Sequence, residues 1–111
     1  MLEHLKEENL IDENFLKQWK EFLSLLEKYL EIKDISLLEK IQEKICDFIE
    51  YFTNIYYLFF LEGKNENKEN LFNLLTFFKD FEIEIKTLKK NKEFEKIYDL
   101  IKYNLIYLKS L

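Results

Sequence analysis

Apolar residues recur at intervals of three and four along almost the whole chain, the spacing of one buried helix face. Phe15, Trp19, Phe22, Leu23, Leu26, Tyr29 and Leu30 form the first such stripe. Asp12 stands just ahead of it, where an N-cap belongs, so a helix is predicted over about 13–32. A second stripe follows through Leu37, Leu38, Ile41, Ile45, Phe48, Ile49, Phe52, Ile55, Tyr56 and Phe59. Ser36 and Glu39 have the spacing of a capping box at its start, and Gly63 is a natural stop. That helix has about 26 residues and a length of roughly 39 Å.

The polar stretch GKNENKEN, residues 63–70, separates this pair from the rest, and a third helix is expected to begin between Asn67 and Asn70. Its stripe is Leu71, Leu74, Leu75, Phe78, Phe81, Ile85 and Leu88. Residues 81–86, FEIEIK, alternate as a strand would, but a lone strand would have nothing to pair with. Helix is therefore the expected state there. A last helix over about 92–109 turns Phe94, Ile97, Tyr98, Ile101, Leu105 and Leu108 inward.

Four amphipathic helices joined by short connections predict an all-α fold: a four-helix antiparallel up-down-up-down bundle in a single domain, 1–111. Residues 1–11 are expected to add a short N-terminal helical segment carrying Leu2, Leu5 and Leu10. The alternative is a set of longer hairpins that completes its bundle only as a dimer.

Some apolar residues do not belong to these stripes. In YFTNIYYLFFLEG, residues 51–63, the core stripe centres near Phe52, with Tyr51 and Leu58 on its flanks and Tyr57 and Leu61 nearly opposite. The last two turns are thus apolar almost all round, and such a helix is normally covered on all sides. Tyr103, Ile106 and Tyr107 point away from the stripe of the last helix in the same manner. In an up-down-up-down bundle both sets fall at one end of the molecule. Either residues 1–11 fold over that end through Leu2, Leu5 and Leu10, or it is a contact surface for a second subunit or a partner protein. The candidate contact residues are Tyr51, Tyr57, Leu58, Leu61, Tyr103, Ile106 and Tyr107. Phe72, Phe77 and Ile83 also fall off the core face of their helix.

Composition narrows the chemistry. Ala, Val, Pro and Arg are absent and there is one Gly, so Leu, Ile and Phe must fill the core and helices cannot approach closely. The net charge is −5. Residues 1–62 hold 7 Lys against 14 acids, and residues 63–111 hold 10 Lys against 8. Without Arg there is no bidentate grip on phosphate or guanine, and the acidic balance argues against general nucleic-acid binding. Lys86, Lys89, Lys90, Lys92 and Lys96 make the one basic cluster, a candidate anion or nucleic-acid contact. Aromatic residues do not interleave with it as a base-stacking platform requires.

No metal site or cofactor is expected. His4 is the single histidine, and bundle metal centres need paired Glu-x-x-His motifs. One Gly excludes a phosphate-binding glycine loop. Cys46, the only cysteine, permits no internal disulfide and is expected to be a partly buried, inert thiol; it suits the reducing cytoplasm. Glu82, near the edge of its helix's core face, is expected to reach solvent. The acidic N-terminus lacks the apolar run of a signal peptide, and residues 45–61 are interrupted by Asp47, Glu50, Thr53 and Asn54, so no membrane insertion is expected.

These features together predict a non-enzymatic protein-binding module of the chaperone, adaptor or inhibitor class, cytoplasmic, with a lean toward a homodimer. The alternative is a small helical subunit of a nucleoprotein complex that touches nucleic acid through Lys86–Lys96.

Overall fold

The computed structural model describes residues 2, 5, 11–62 and 68–111. Among them every regular element is helical: α1 (Glu13–Ile32), α2 (Ile35–Glu62), α3 (Lys68–Lys90) and α4 (Phe94–Lys109). Each helix packs against two others, α1 on α2, α2 on α3, α3 on α4 and α4 on α1, and the pairs α1–α3 and α2–α4 share no close backbone approach. That four-cornered packing makes a helical bundle. Its long dimension of 44 Å is close to the roughly 42 Å of a helix as long as α2.

The starts and stops follow from local chemistry. Phe15 N–H donates to Asp12 Oδ1 at 2.8 Å, which makes Asp12 the N-cap of α1. Lys33 ends α1 in the left-handed region, φ 52°, and its N–H closes on the Tyr29 carbonyl at 2.8 Å. The Ser36–Glu39 capping box does not form. Asp34 Oδ1 accepts from Ser36 N–H at 2.9 Å and the Asp34 carbonyl accepts from Leu37 N–H. The turn after Lys33 brings this carboxylate to the helix end first, so α2 begins at Ile35 and Ser36 lies within its first turn. Bonds from the Ser36 backbone and hydroxyl hold the Asp34 carboxyl below the usual range. α3 starts within the expected window and includes residues 81–86 as helix. Lys92, also at positive φ, turns the chain into α4 two residues later than the spacing suggests. Gly63 and Leu10 lie outside the described residues.

The four stripes meet in one core. Phe22, Phe52, Phe78 and Phe81 are its largest fully buried side chains. Leu23, Leu30, Ile49, Tyr56, Leu88 and Phe94 pack half-buried around it. Since no alanine brings the helices close, aromatic rings span the gap between them. Phe78 of α3 reaches Trp19 at 5.9 Å and Phe22 at 6.1 Å on α1, the opposite corner, and Phe48 at 5.6 Å and Phe52 at 5.8 Å on α2. Such pairs contribute about 0.5–1.5 kcal/mol each beyond area burial. α4 joins instead through aliphatic residues, Ile97, Ile101, Leu105 and Leu108.

Neighbouring helices pair in a regular order. Along α1 and α2, Phe15 stacks on Tyr51, Trp19 meets Phe48, and Gln18 and Glu21 meet Lys44, so one residue number rises as the other falls. The same holds for α2 and α3, where Tyr56 meets Phe72, Phe52 meets Phe78, Cys46 meets Glu82 and Gln42 meets Lys89.

Phe78→Ala should cost about 3–5 kcal/mol, because it removes the ring that joins three helices and leaves a cavity among them. Urea unfolding followed by circular dichroism measures this; a loss under about 1 kcal/mol would mean that the aromatic bridge is not what holds the helices together.

Candidate functional site

Two features expose the apolar surface: Tyr57 and Leu61 lie opposite the buried stripe of α2, and α2 runs on past the start of α1. Phe15, in the first turn of α1, lies level with Tyr51 and Phe52 of α2. The stretch of α2 from Thr53 to Glu62, roughly 15 Å of helix, therefore runs on past the start of α1. There α3 covers one flank of it, through Phe72 on Tyr56 at 6.1 Å and Lys68 over Phe60 at 5.0 Å and over Tyr56 at 5.6 Å. Ile55 and Phe59 stay buried. Tyr57, Leu58, Phe60 and Leu61 do not: between 54% and 65% of each is exposed.

Three described residues ahead of α1 are buried as well. Leu2, Leu5 and Ile11 are buried in the core cluster, and Leu2 N–H donates to the Leu111 carbonyl at 3.3 Å, after the last turn of α4. The four α2 side chains remain exposed all the same.

The predicted contact residues divide into three groups. Tyr51 is half-buried; its ring stacks on Phe15 with centroids 4.7 Å apart, so it closes the α1–α2 seam. Desolvation, then the charge of Asp12, raises the pKa of its phenol. Tyr57, Leu58 and Leu61 form the α2 group, to which Phe60 belongs as well. Tyr103, Ile106 and Tyr107 form the α4 group. Tyr103 is 76% exposed, and Tyr107 leans on Phe77 of α3 with ring centroids 4.8 Å apart. α2 and α4 occupy opposite corners, so these two groups do not share one helix–helix seam. Phe72 and Ile83 are exposed on α3, and Phe77 is half-buried.

The lysine cluster is largely engaged. Lys86 pairs with Glu82 at 3.1 Å and Lys96 with Glu93 at 2.9 Å, while Lys89 donates to Gln42 at 3.2 Å. Lys90 and Lys92 are exposed around the turn before α4.

Cys46 is exposed, where the sequence suggested partial burial. It lies about 120° around α2 from Phe52, toward solvent on the α3 side. Its Sγ donates to Glu82 Oε1 at 3.3 Å. Desolvation first, then that bond and the Glu82 charge, push the thiol pKa up. A protonated thiol is a poor nucleophile. Glu82 is half-buried and bonded on both sides, by Cys46 and Lys86. Among the described residues no three His, Cys, Asp or Glu side chains stand together as metal ligands, and no helix is long and apolar enough to cross a membrane. His4 lies outside the described residues.

No protein-family model, no curated protein and no solved structure matches the chain.

Phe60 and the acid partner of Cys46 are absent from the sequence reading. Phe60 sits about 80° from Phe52, close enough to the buried stripe to be taken for part of it. The Cys46–Glu82 contact depends on the register between α2 and α3, which no local pattern encodes.

Glu82→Gln should speed alkylation of Cys46 by iodoacetamide at pH 8, because it removes the carboxylate charge and leaves a weaker, neutral acceptor for the thiol. The pH midpoint of the alkylation rate is expected to fall. An unchanged midpoint would show that Glu82 does not set the protonation of Cys46. The sign for stability follows: a thiol pKa raised by folding adds stability below the unfolded value, and that stability is lost as pH climbs through the folded value.

Proposed function

We propose that this protein is a non-enzymatic protein-binding module of the chaperone, adaptor or inhibitor class, acting through its apolar, tyrosine-rich surface. The observation that carries the reading is the exposure of Tyr57, Leu58, Phe60 and Leu61 on the two turns where α2 outruns α1. Four large apolar side chains on consecutive turns approach the few hundred Å² beyond which a contiguous patch usually marks interaction. Aromatic residues are enriched at the centres of protein interfaces, where a phenol ring adds contact area at small entropic cost.

The bundle in this reading runs up-down-up-down, with a short helical N-terminal segment over one end. Support comes from contact pairs whose residue numbers rise on one helix as they fall on its neighbour, and from the Leu2–Leu111 hydrogen bond. In that topology the C-terminal turns of α2 and α4 present their side chains at the same end. A partner then meets the α2 group, the α4 group, or both. A second copy of the chain could use the same surface, which makes a homodimer part of the reading. The one free thiol suits a cytoplasmic setting.

A tagged pull-down from lysate of the source cell, read by mass spectrometry, tests this. The wild type should capture a partner that the Tyr57→Glu, Tyr103→Glu double variant loses, with the circular dichroism of the two proteins unchanged. Equal capture by both would remove these residues from the interface. A double variant that loses its helices would mean that they belong to the core.

A further inference from the structure

Between α3 and α4 lies a groove of about 330 Å³, the lower end of the range for binding pockets. Phe77, Phe81, Tyr103 and Tyr107 give it aromatic walls, with Phe77 and Phe81 centroids 5.8 Å apart. Asp80 and Glu84 line it from α3, one helical turn apart. Carboxylates at that spacing repel each other and weaken a helix by a few tenths of a kcal/mol. No described cation pairs with either: Lys44, Lys86, Lys96 and Lys109 find their acids elsewhere.

Asn104 supplies an independent observation. It lines the same groove from α4 and is only 8% exposed. A polar side chain buried to that degree nearly always has a hydrogen-bond partner. Its amide has none within the described residues, and none of its polar atoms is sealed from solvent. The amide therefore opens into the groove, offering two N–H donors and a carbonyl acceptor. A peptide main chain presents the complement, a carbonyl and an N–H.

We propose that this groove receives a lysine- or arginine-bearing stretch of a partner polypeptide, with its cation held by Asp80 and Glu84 against the aromatic walls and its main chain met by Asn104. The proposal rests on the protein-binding reading and names the partner's chemistry at the α4 half of the surface. A cation beside the two carboxylates relieves their repulsion. It also gains attraction to the ring faces, an interaction that strengthens as the groove is desolvated. The partner's neighbouring apolar side chain then covers Phe77 and Tyr107. A free amine or a neutral apolar ligand would satisfy only part of this arrangement, because one leaves Asn104 without a main-chain partner and the other leaves the carboxylates unpaired.

The test uses the full chain labelled with nitrogen-15, titrated to millimolar concentration with the probe acetyl-Leu-Lys-Phe-amide and, separately, with acetyl-Leu-Gln-Phe-amide. Saturable shifts are expected from the lysine peptide at the Asn104 side-chain amide and at the backbone of Asp80, Glu84 and Tyr103. The glutamine peptide should bind at least tenfold more weakly, and Asp80→Asn with Glu84→Gln should abolish the difference. Both substitutions are at exposed positions, and the amide spectrum of the variant reports directly that it is folded. Equal binding of the two peptides in the groove would overturn the cationic preference while leaving a protein-binding groove in place. Absence of saturable shifts at these residues from either peptide would overturn the proposal and leave the protein-binding reading to the α2 surface, which the pull-down judges separately.

Discussion

The Phe78 ring is the contact on which the rest of the bundle depends. It touches Trp19 and Phe22 across the diagonal and Phe48 and Phe52 on the adjoining helix, so three helices share one aromatic junction. A chain without alanine and with a single glycine cannot bring helix backbones together through small residues. It fills the wider space with large side chains instead, and interiors tolerate few voids. The aromatic junction is how this sequence meets that requirement. α4, whose core face is aliphatic, closes the fourth side without entering the junction.

The same composition creates the surface. Leu, Ile, Phe and Tyr supply nearly all the apolar mass, and one stripe per helix can hold only part of it. α2 is longer than α1, 28 residues against 20, so its last turns have no α1 to pack on. Tyr57, Leu58, Phe60 and Leu61 stand there on the outer side of the helix, across from buried Ile55 and Phe59. Core and candidate contact surface are thus consecutive residues of one helix. What separates them is the face of α2 they occupy and, for Leu58, the absence of α1 beside it. α4 repeats the arrangement on a smaller scale, with Ile101, Leu105 and Leu108 inside and Tyr103 and Ile106 outside.

Much of this was legible because large apolar residues at three-and-four spacing leave little freedom in assigning the buried face. The Asp12 cap and the helical state of residues 81–86 could be read in the same way, from local chemistry and from the lack of any strand partner. Features that depend on a neighbour in space were harder to read. Asp34 displaces Ser36 at the start of α2 because Lys33 turns left-handed ahead of it, a backbone event with no glycine to announce it. Asn104 reads as a polar interruption in α4, and only the approach of α3 encloses it. The candidate contact residues were named as one set, yet Tyr51 is stacked against Phe15 and the others divide between opposite corners of the bundle. Helix register and the order of helices around the core decide such matters, and neither is written in the spacing of one helix.

The central claim is that one helix carries a core on one face and, on the outer side of its last turns, a surface the fold does not need. The most direct measurement compares the urea unfolding midpoints of Phe52→Glu and Leu61→Glu with that of the wild type. Phe52→Glu should prevent folding, since it places a charge in the aromatic junction. Leu61→Glu should unfold within about 0.5 kcal/mol of the wild type, as surface substitutions usually do. A large loss of stability from Leu61→Glu would contradict the account, because the outer side of the last turns of α2 would then be part of what holds the bundle together.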